Sequence, residues 1–287
     1  MKDKYTATWL SHTSISEFLR CQRAYYLKHV YKDPKTKNKI KLITPSLALG
    51  QAVHETLESL SVLRREERFD KPLMERFEDN WKKISGIQGG FLDEDQESAY
   101  RKRGQEMIRR VYNNPGPLKK LSIKIQKDLP YFWLSDEDNL ILCGKIDWLE
   151  YLAESDAVHI IDFKTGKKTE DASSLQLPIY YLLVDRCQKR KVTKASYWYL
   201  EFNDDLTEMS LPDPEESMTK ILEVGRKIKL MRQLERFKCE SNGCYACEPY
   251  ERIIAGEGEF VGNDEFRYDV YVLLKQPENE GEDSIIL

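Results

Sequence analysis

HIIDFKTGKK, residues 159–168, sets an apolar run ending at Ile161 directly against Asp162 and places Lys164 two residues later. The preceding stretch, GKIDWLEYLAESDAV at 144–158, alternates in the same strand-like way. A hairpin turning at Glu154 and Ser155 pairs Asp147 with Asp162, because the midpoint of those two positions falls between the two turn residues. Residues opposite one another share a face, and Lys164 lies on it by the period-2 rule. Two carboxylates brought together repel, so one takes a proton or both hold a cation. Their oxygens suit Mg²⁺ or Mn²⁺, and a neighbouring ammonium suits an attacking water and a phosphate transition state. The same residues also suit a surface hairpin with a cross-strand ion pair.

Working outward, Ser14-Ile-Ser-Glu17 fits a capping box opening a first helix over about 14–30. A second helix is expected from about Ser46 to Glu67, with Gly50 and His54 on one face. A third runs from near Pro72 to Trp81, and a fourth spans about Asp95 to Asn113, before Asn-Pro-Gly-Pro breaks it. The period then changes: Ile123 and Ile125 alternate with polar residues, and 139–151, 157–164, 195–202 and 205–211 read as strands. An apolar helix over Leu175 to Arg186 and a long amphipathic one over about Glu215 to Phe237 complete the pattern. Helices flanking a mixed sheet make this an α/β chain.

No phosphate-binding Gly-x4-Gly-Lys-Ser/Thr loop and no His-Glu-x-x-His occurs, which argues against an ATP motor and a zincin. The opening MKDKYTATWLSHTS has no apolar core of signal-peptide length, and Ile179 to Val184, the longest apolar run, is too short to span a bilayer. A cytoplasmic protein is expected, with no membrane partner. The net charge of −4 gives no support for a nucleic-acid partner by itself. Two local basic runs differ from that average: Lys32, Lys35, Lys37, Lys39 and Lys41, and Arg186, Lys189, Arg190, Lys191 and Lys194. Each run is either a solvated loop or part of a basic groove masked by acids elsewhere, such as the tail QPENEGEDSIIL.

Gly144-x-x-Asp147, then Asp162-x-Lys164-Thr165-Gly166, then Gln176-x-x-x-Tyr180 resembles the PD-(D/E)XK nuclease superfamily. Within it the chain looks most like the branch of RecB-type nucleases and CRISPR-associated Cas-four-type exonucleases. SHTSISEFLRCQRAYYLKHV at 11–30 resembles that branch's first helix with its cysteine, and Gly50-Gln-Ala-Val-His54-Glu55 its Gly-x-x-x-His-Glu segment. The ordered set covers about 11–250. The resemblance implies a restriction-endonuclease-like core with an N-terminal helical segment and a C-terminal cysteine-bearing cap. It implies that His54, Asp147, Asp162 and the Phe163 carbonyl hold the divalent metal and that Lys164 serves the attacking water. Gln176 and Tyr180, at i and i+4 on one helix face, would touch DNA or brace the site.

In the cytosol six cysteines are not expected to form a disulfide framework. Cys239-x4-Cys244-x2-Cys247 follows the long helix and Cys21 stands in the first. Many members of the branch clamp an iron-sulfur cluster with one early and three late cysteines, and four thiolates suit [4Fe-4S] or zinc. The chain departs from the common pattern at Ile253, where a last cysteine would stand, so Cys239 takes its place or the thiols are merely packed. Cys143 and Cys187 read as core.

The expected organisation is one nuclease domain over 1–260: a helical part at about 11–115, a sheet core at about 120–212, and a C-terminal helix and cysteine cap at about 215–255. Residues 261–287 would be an extension with an acidic tail. The expected function is a metal-dependent deoxyribonuclease, an exonuclease on single-stranded DNA or DNA ends, working in repair, recombination or CRISPR adaptation with a helicase or another protein of those pathways. The alternative is a catalytically idle DNA-binding or structural subunit of a helicase-nuclease assembly.

Overall fold

In chain order the elements are β1 (Thr8–Leu10), α1 (His12–Arg20), α2 (Gln22–His29), β2 (Ile40–Leu42), α3 (Pro45–Glu58), α4 (Leu73–Trp81), α5 (Glu94–Asn113), β3 (Tyr131–Ser135), β4 (Leu140–Cys143), β5 (Trp148–Leu152) and β6 (Ala157–Lys164). They continue with α6 (Gln176–Cys187), β7 (Lys191–Tyr199), β8 (Thr207–Met209), α7 (Pro214–Leu234), α8 (Glu248–Ile254), β9 (Gly258–Asn263) and β10 (Asp269–Leu273). These belong to a computed structural model that describes residues 3–127 and 129–274. No described helix is long and apolar enough to cross a membrane.

The alternation around the quoted stretch builds the central sheet, ordered β5-β6-β7-β8. β5 and β6 pair antiparallel, with Trp148 opposite Ile161 and Leu152 opposite Ala157, which is the register expected from the hairpin. β6 then runs parallel to β7, and β8 closes the edge antiparallel. Period-2 geometry splits this sheet into two apolar faces. Leu149, Val158, Ile160, Ala195 and Tyr197 pack with Leu177 and Val184 of α6. Trp148, Ile161, Phe163 and Trp198 pack with the cores of α3, α4 and α5. Each large side chain buried here contributes about 1.5–3 kcal/mol.

The second face also carries a buried polar chain. Lys120 Nζ lies 2.7 Å from Glu150, whose other oxygen is 3.0 Å from His159 Nδ1, and His159 Nε2 meets Ser196 Oγ at 2.8 Å. The Arg68 guanidinium lies over the Trp148 ring and donates to the carbonyls of Leu118 and Lys120. These pairings satisfy polar groups that would otherwise be buried at a cost.

Several sequence expectations shift. The first helix is broken in two. Ser11, not Ser14, is its N-cap, with Ser14 as the reciprocal partner of the capping box, while Glu17 pairs instead with Lys28 and His29 at 2.5 Å each. At Cys21 the backbone turns extended, with φ −161, and the thiol caps α2 by accepting from the Ala24 N–H. The second helix stops at Glu58 and continues only as short 3₁₀ turns, because Ser59 and Ser61 bond back to the carbonyls of Thr56 and Glu58.

The expected strand at 139–151 is two strands in different sheets, since β4 lies between β1 and β3. The break begins at Gly144, where an added Cβ would come within 2.8 Å of Leu183 Cδ1. Around Ile123 the described residues form a single bridge, Ser122 with Glu150. Residue 260, the expected domain limit, falls inside β9: β9 and β10 form a third sheet with β2, so 261–273 belong to the folded body. The acidic tail lies outside the described residues.

Gly104 lets α5 approach α4: a Cβ there would lie 2.4 Å from Phe77 Cζ, and Phe77 is fully buried. Gly104→Ala gains about 1 kcal/mol of helix propensity but incurs an overpacking cost of about 1–3 kcal/mol. The net expectation is a lower urea midpoint with an unchanged m-value. A higher midpoint would show that Phe77 yields freely.

Candidate active site

The site forms where β5 begins and β6 ends, bounded by α3 and α6. Asp147 is 8% exposed and Asp162 only 2%, so neither carboxylate keeps a full water shell. Asp147 Oδ2 accepts the backbone N–H of Phe163 at 2.8 Å, which locks the two strands together at this point. His54 Nδ1 lies 3.3 Å from the same oxygen. Gly50, one turn earlier, faces Thr165: a Cβ there would stand 3.4 Å from Thr165 Oγ1, an ordinary contact distance.

Asp162 is held from α6 and from its own strand. Gln176 Nε2 donates to Asp162 Oδ1 at 3.0 Å and to Tyr180 OH at 3.2 Å, while the Gln176 carbonyl oxygen accepts from Lys164 Nζ. Lys164 Nζ stands 3.1 Å from Asp162 Oδ2 and 3.0 Å from Glu170, with the Tyr197 ring 4.9 Å below it. The buried Asp162 Oδ2 accepts no hydrogen bond of good geometry.

Burial lifts the Asp162 carboxyl to about 7, the charge of Asp147 adds to the rise, and Lys164 opposes it. For His54 burial opposes the charged form, yet Asp147 and Glu58 outweigh it and raise the imidazole to about 10. Burial likewise works against the Lys164 ammonium, but Asp162 and Glu170 hold it above the usual lysine range. Lys164 is therefore a fixed positive charge and a donor at neutral pH.

Two participants escaped the sequence. Glu58 stands one helical turn beyond His54, 3.7 Å from its Nδ1, and ligand atoms of His54, Glu58 and Asp147 lie within 4.8 Å of one another. The i, i+4 relation to His54 was the available signal. The resemblance drew attention to Glu55 instead, which faces Gln51 and Lys83. Asp162 is not in that tight group of ligand atoms, being turned toward Gln176 and Lys164. Glu170 arrives from the loop after β6, where no periodicity marks it.

The family model of the PD-(D/E)XK nuclease superfamily matches residues 9–252. The chain belongs to that superfamily. No curated protein matches it. Membership makes the protein a metal-dependent nuclease, and the donor set suits a hard divalent cation: carboxylates, one imidazole and the buried Asp162 Oδ2, which faces the Lys164 ammonium.

A second group of side chains assembles from the cysteines. Sγ atoms of Cys21, Cys239, Cys244 and Cys247 all lie within 4.8 Å of one another. Cys21 and Cys247 are buried, and the Cys244 N–H donates to Cys247 Sγ at 3.4 Å. Burial opposes ionisation of Cys244, but N–H groups of Cys247 and Ala246 bring its thiol down to about 7, while burial pushes Cys247 up to about 12. Ile253 is buried against Cys21, Cys247 and Tyr250, so an apolar contact occupies that position. Cys143 is buried in β4 and Cys187 half-buried at the end of α6, each thiol near a backbone carbonyl.

A cation entering beside His54 and Asp162 must displace protons that these groups hold near neutrality. Mn²⁺ affinity should therefore rise from pH 6 to pH 8 with net proton release, read by calorimetry in two buffers of different ionisation enthalpy. Affinity independent of pH over that range would place the cation elsewhere.

Proposed function

We propose that the protein is a deoxyribonuclease of the RecB-type and Cas-four-type branch, an exonuclease on single-stranded DNA or DNA ends in repair, recombination or CRISPR adaptation. The observation that carries this reading is the convergence of Asp147, Asp162, Lys164 and His54 at one strand end, with the four cysteines gathered elsewhere. His54, Asp147, Asp162 and the Phe163 carbonyl are the proposed ligands of Mg²⁺ or Mn²⁺, and Glu58 stands beside His54 and Asp147 as a further carboxylate. The cation supplies a Lewis acid to the phosphate and lowers the pKa of water.

The chain's own residues do the rest. Lys164 presents an ammonium to the attacking water and to the charge that develops on phosphorus, an interaction stronger in the transition state than in the ground state. Gln176 fixes both Asp162 and Lys164, so its proposed role is bracing, with Tyr180 behind it. The branch assignment is supported by the cysteine group, which ties α2 to the segment before α8. A [4Fe-4S] cluster is the proposed occupant, with zinc as the alternative.

The deciding assay incubates purified protein with end-labelled single- and double-stranded DNA in Mg²⁺ or Mn²⁺ against EDTA. Release of short products from ends is expected. Binding without any cleavage would favour an idle subunit.

Lys164→Ala should lower kcat by about 10²- to 10³-fold while DNA and Mn²⁺ binding persist, because the lost contact belongs to the transition state. His54→Ala and Asp147→Ala should instead weaken Mn²⁺ binding in a folded protein. Cleavage by Lys164→Ala at the wild-type rate would remove the quoted stretch from catalysis.

Anaerobically purified protein should be brown with broad absorption near ~400 nm, and serine at Cys21, Cys239, Cys244 or Cys247 should bleach it. Colourless protein with stoichiometric zinc would assign a zinc clasp, and stable metal-free protein would exclude both.

A further inference from the structure

A cavity of about 360 Å³ lies apart from the cluster just described, lined from α1, α2, β1, β4, α7 and the residue preceding β2. Its polar wall is one-sided. Lys39, Arg232, His29, Tyr25, Ser11 and Ser14 face it, and among the described residues no carboxylate does. Among the described residues neither Lys39 nor Arg232 forms an ion pair: Lys39 lies over the Tyr268 ring at 5.5 Å, and Arg232 donates to Tyr25 OH at 3.3 Å. The nearby acid, Glu17, is already engaged by Lys28 and His29.

This is unusual in a chain with 49 acidic and 45 basic residues, where a counter-charge is cheap to provide. Two cations turned toward one cavity repel each other, and the repulsion has a use only if an anion enters. Half-buried Lys39 feels that arrangement: burial, then the charge of Arg232, holds its ammonium below the usual lysine range. The Tyr25 hydroxyl is the partner of the Arg232 guanidinium, and Tyr25 is fully buried, so the fork is aimed by a rigid group. A guanidinium and an ammonium with hydroxyl donors beside them match the oxygens of a phosphate.

The cavity is larger than a bare phosphate needs and falls in the size range of small-ligand sites. Trp9, which packs against Tyr131 at 5.0 Å, is an aromatic residue of the lining, and aromatic side chains are partners of nucleobases. Ser11 borders the cavity while the next residue, His12, is held down to about 4 by burial and by the charge of Lys164. The start of α1 thus separates this cavity from the catalytic cluster.

We infer that the cavity is a second, non-catalytic site for a phosphate-bearing nucleotide, with Lys39 and Arg232 clamping the phosphate and Trp9 flanking the base. The source of that nucleotide is either the phosphorylated end of a strand or a free mononucleotide. The inference rests on the nuclease reading only in taking nucleotides as the phosphate-bearing molecules at hand.

The test runs in EDTA, so cleavage plays no part. Internally labelled single-stranded DNA ending in 5′-phosphate, 3′-phosphate or hydroxyl groups is titrated by anisotropy, and adenosine 5′-monophosphate and inorganic phosphate are titrated by calorimetry. The wild type should prefer one phosphorylated end, or bind the mononucleotide, by about tenfold over Lys39→Gln and Arg232→Gln, the loss expected for one charge-assisted contact. Lys39→Arg should keep the preference, and thermal unfolding checks that each variant is folded. A preference among the DNA ends assigns the strand end; mononucleotide binding without it assigns the free nucleotide. Folded glutamine variants that bind every probe as the wild type does would overturn the inference. Cleavage in Mn²⁺ is scored separately: an active enzyme with indifferent variants sinks this inference alone, and an inactive one with a Lys39- and Arg232-dependent site sinks the nuclease reading alone.

Discussion

A carboxylate buried as deeply as Asp162 cannot stay ionised unless its surroundings replace water, and much of the architecture supplies those surroundings. Gln176 on α6 reaches Asp162 only because α6 packs its Leu177 and Val184 against Val158 and Ile160 of the same strand. Lys164 returns to Asp162 because two residues along a strand restore the face. Asp147 joins through the hairpin register and is tied by the Phe163 N–H. The site is thus a product of strand geometry, and a one-residue slip of β5 against β6 would turn Asp147 to the opposite face.

The rest of the charge arrangement follows from the same constraint. His54 and Lys164 flank the pair of aspartates from two sides, and each cation is held in its charged form by the acids it serves. Glu58 and Glu170 then stand behind them, one beside His54 and one beside Lys164. The cluster is an alternation of signs in which removing a member leaves a neighbour uncompensated. Groups held in this way are oriented before any ligand arrives, which avoids reorganisation when one binds.

What could be read in the sequence was what depends on periodicity and local turn chemistry. The β5–β6 hairpin, its register, α4, α5 and α6 emerged close to their observed limits because two-residue and 3.6-residue patterns are local properties. The break at Cys21 was hidden because Phe18, Tyr25 and Tyr26 keep helical spacing across it, and only Ser11 upstream reveals the true cap. The run at 139–151 appeared continuous since both halves are apolar; that they belong to separate sheets is decided by β1 pairing with β4 from over 130 residues away, as Thr8 meets Leu140. The strands at 258–273 went unread because β9 buries no residue fully and pairs with β10 through an irregular register. Within the site, the residues carried by strands were legible. Glu170 was not, because a loop has no period.

The pairing of β2 with β10 has a consequence for how this chain is made. Ile40 lies against Asp269, so a strand near the beginning waits for residues synthesised more than two hundred positions later. Cys21 waits as long for Cys247. On a ribosome adding about 5–20 residues each second, β2 stays unpaired for something like ten seconds or more, its apolar Ile40 and Leu42 and its hydrogen-bonding edge without their native cover. Closure across such a separation is entropically costly and slow, and it is the contact that a prematurely terminated chain can never make. Until β10 has been synthesised, the chain therefore presents an open strand edge at β2, and until Cys239, Cys244 and Cys247 follow, Cys21 stands without the thiols it gathers with.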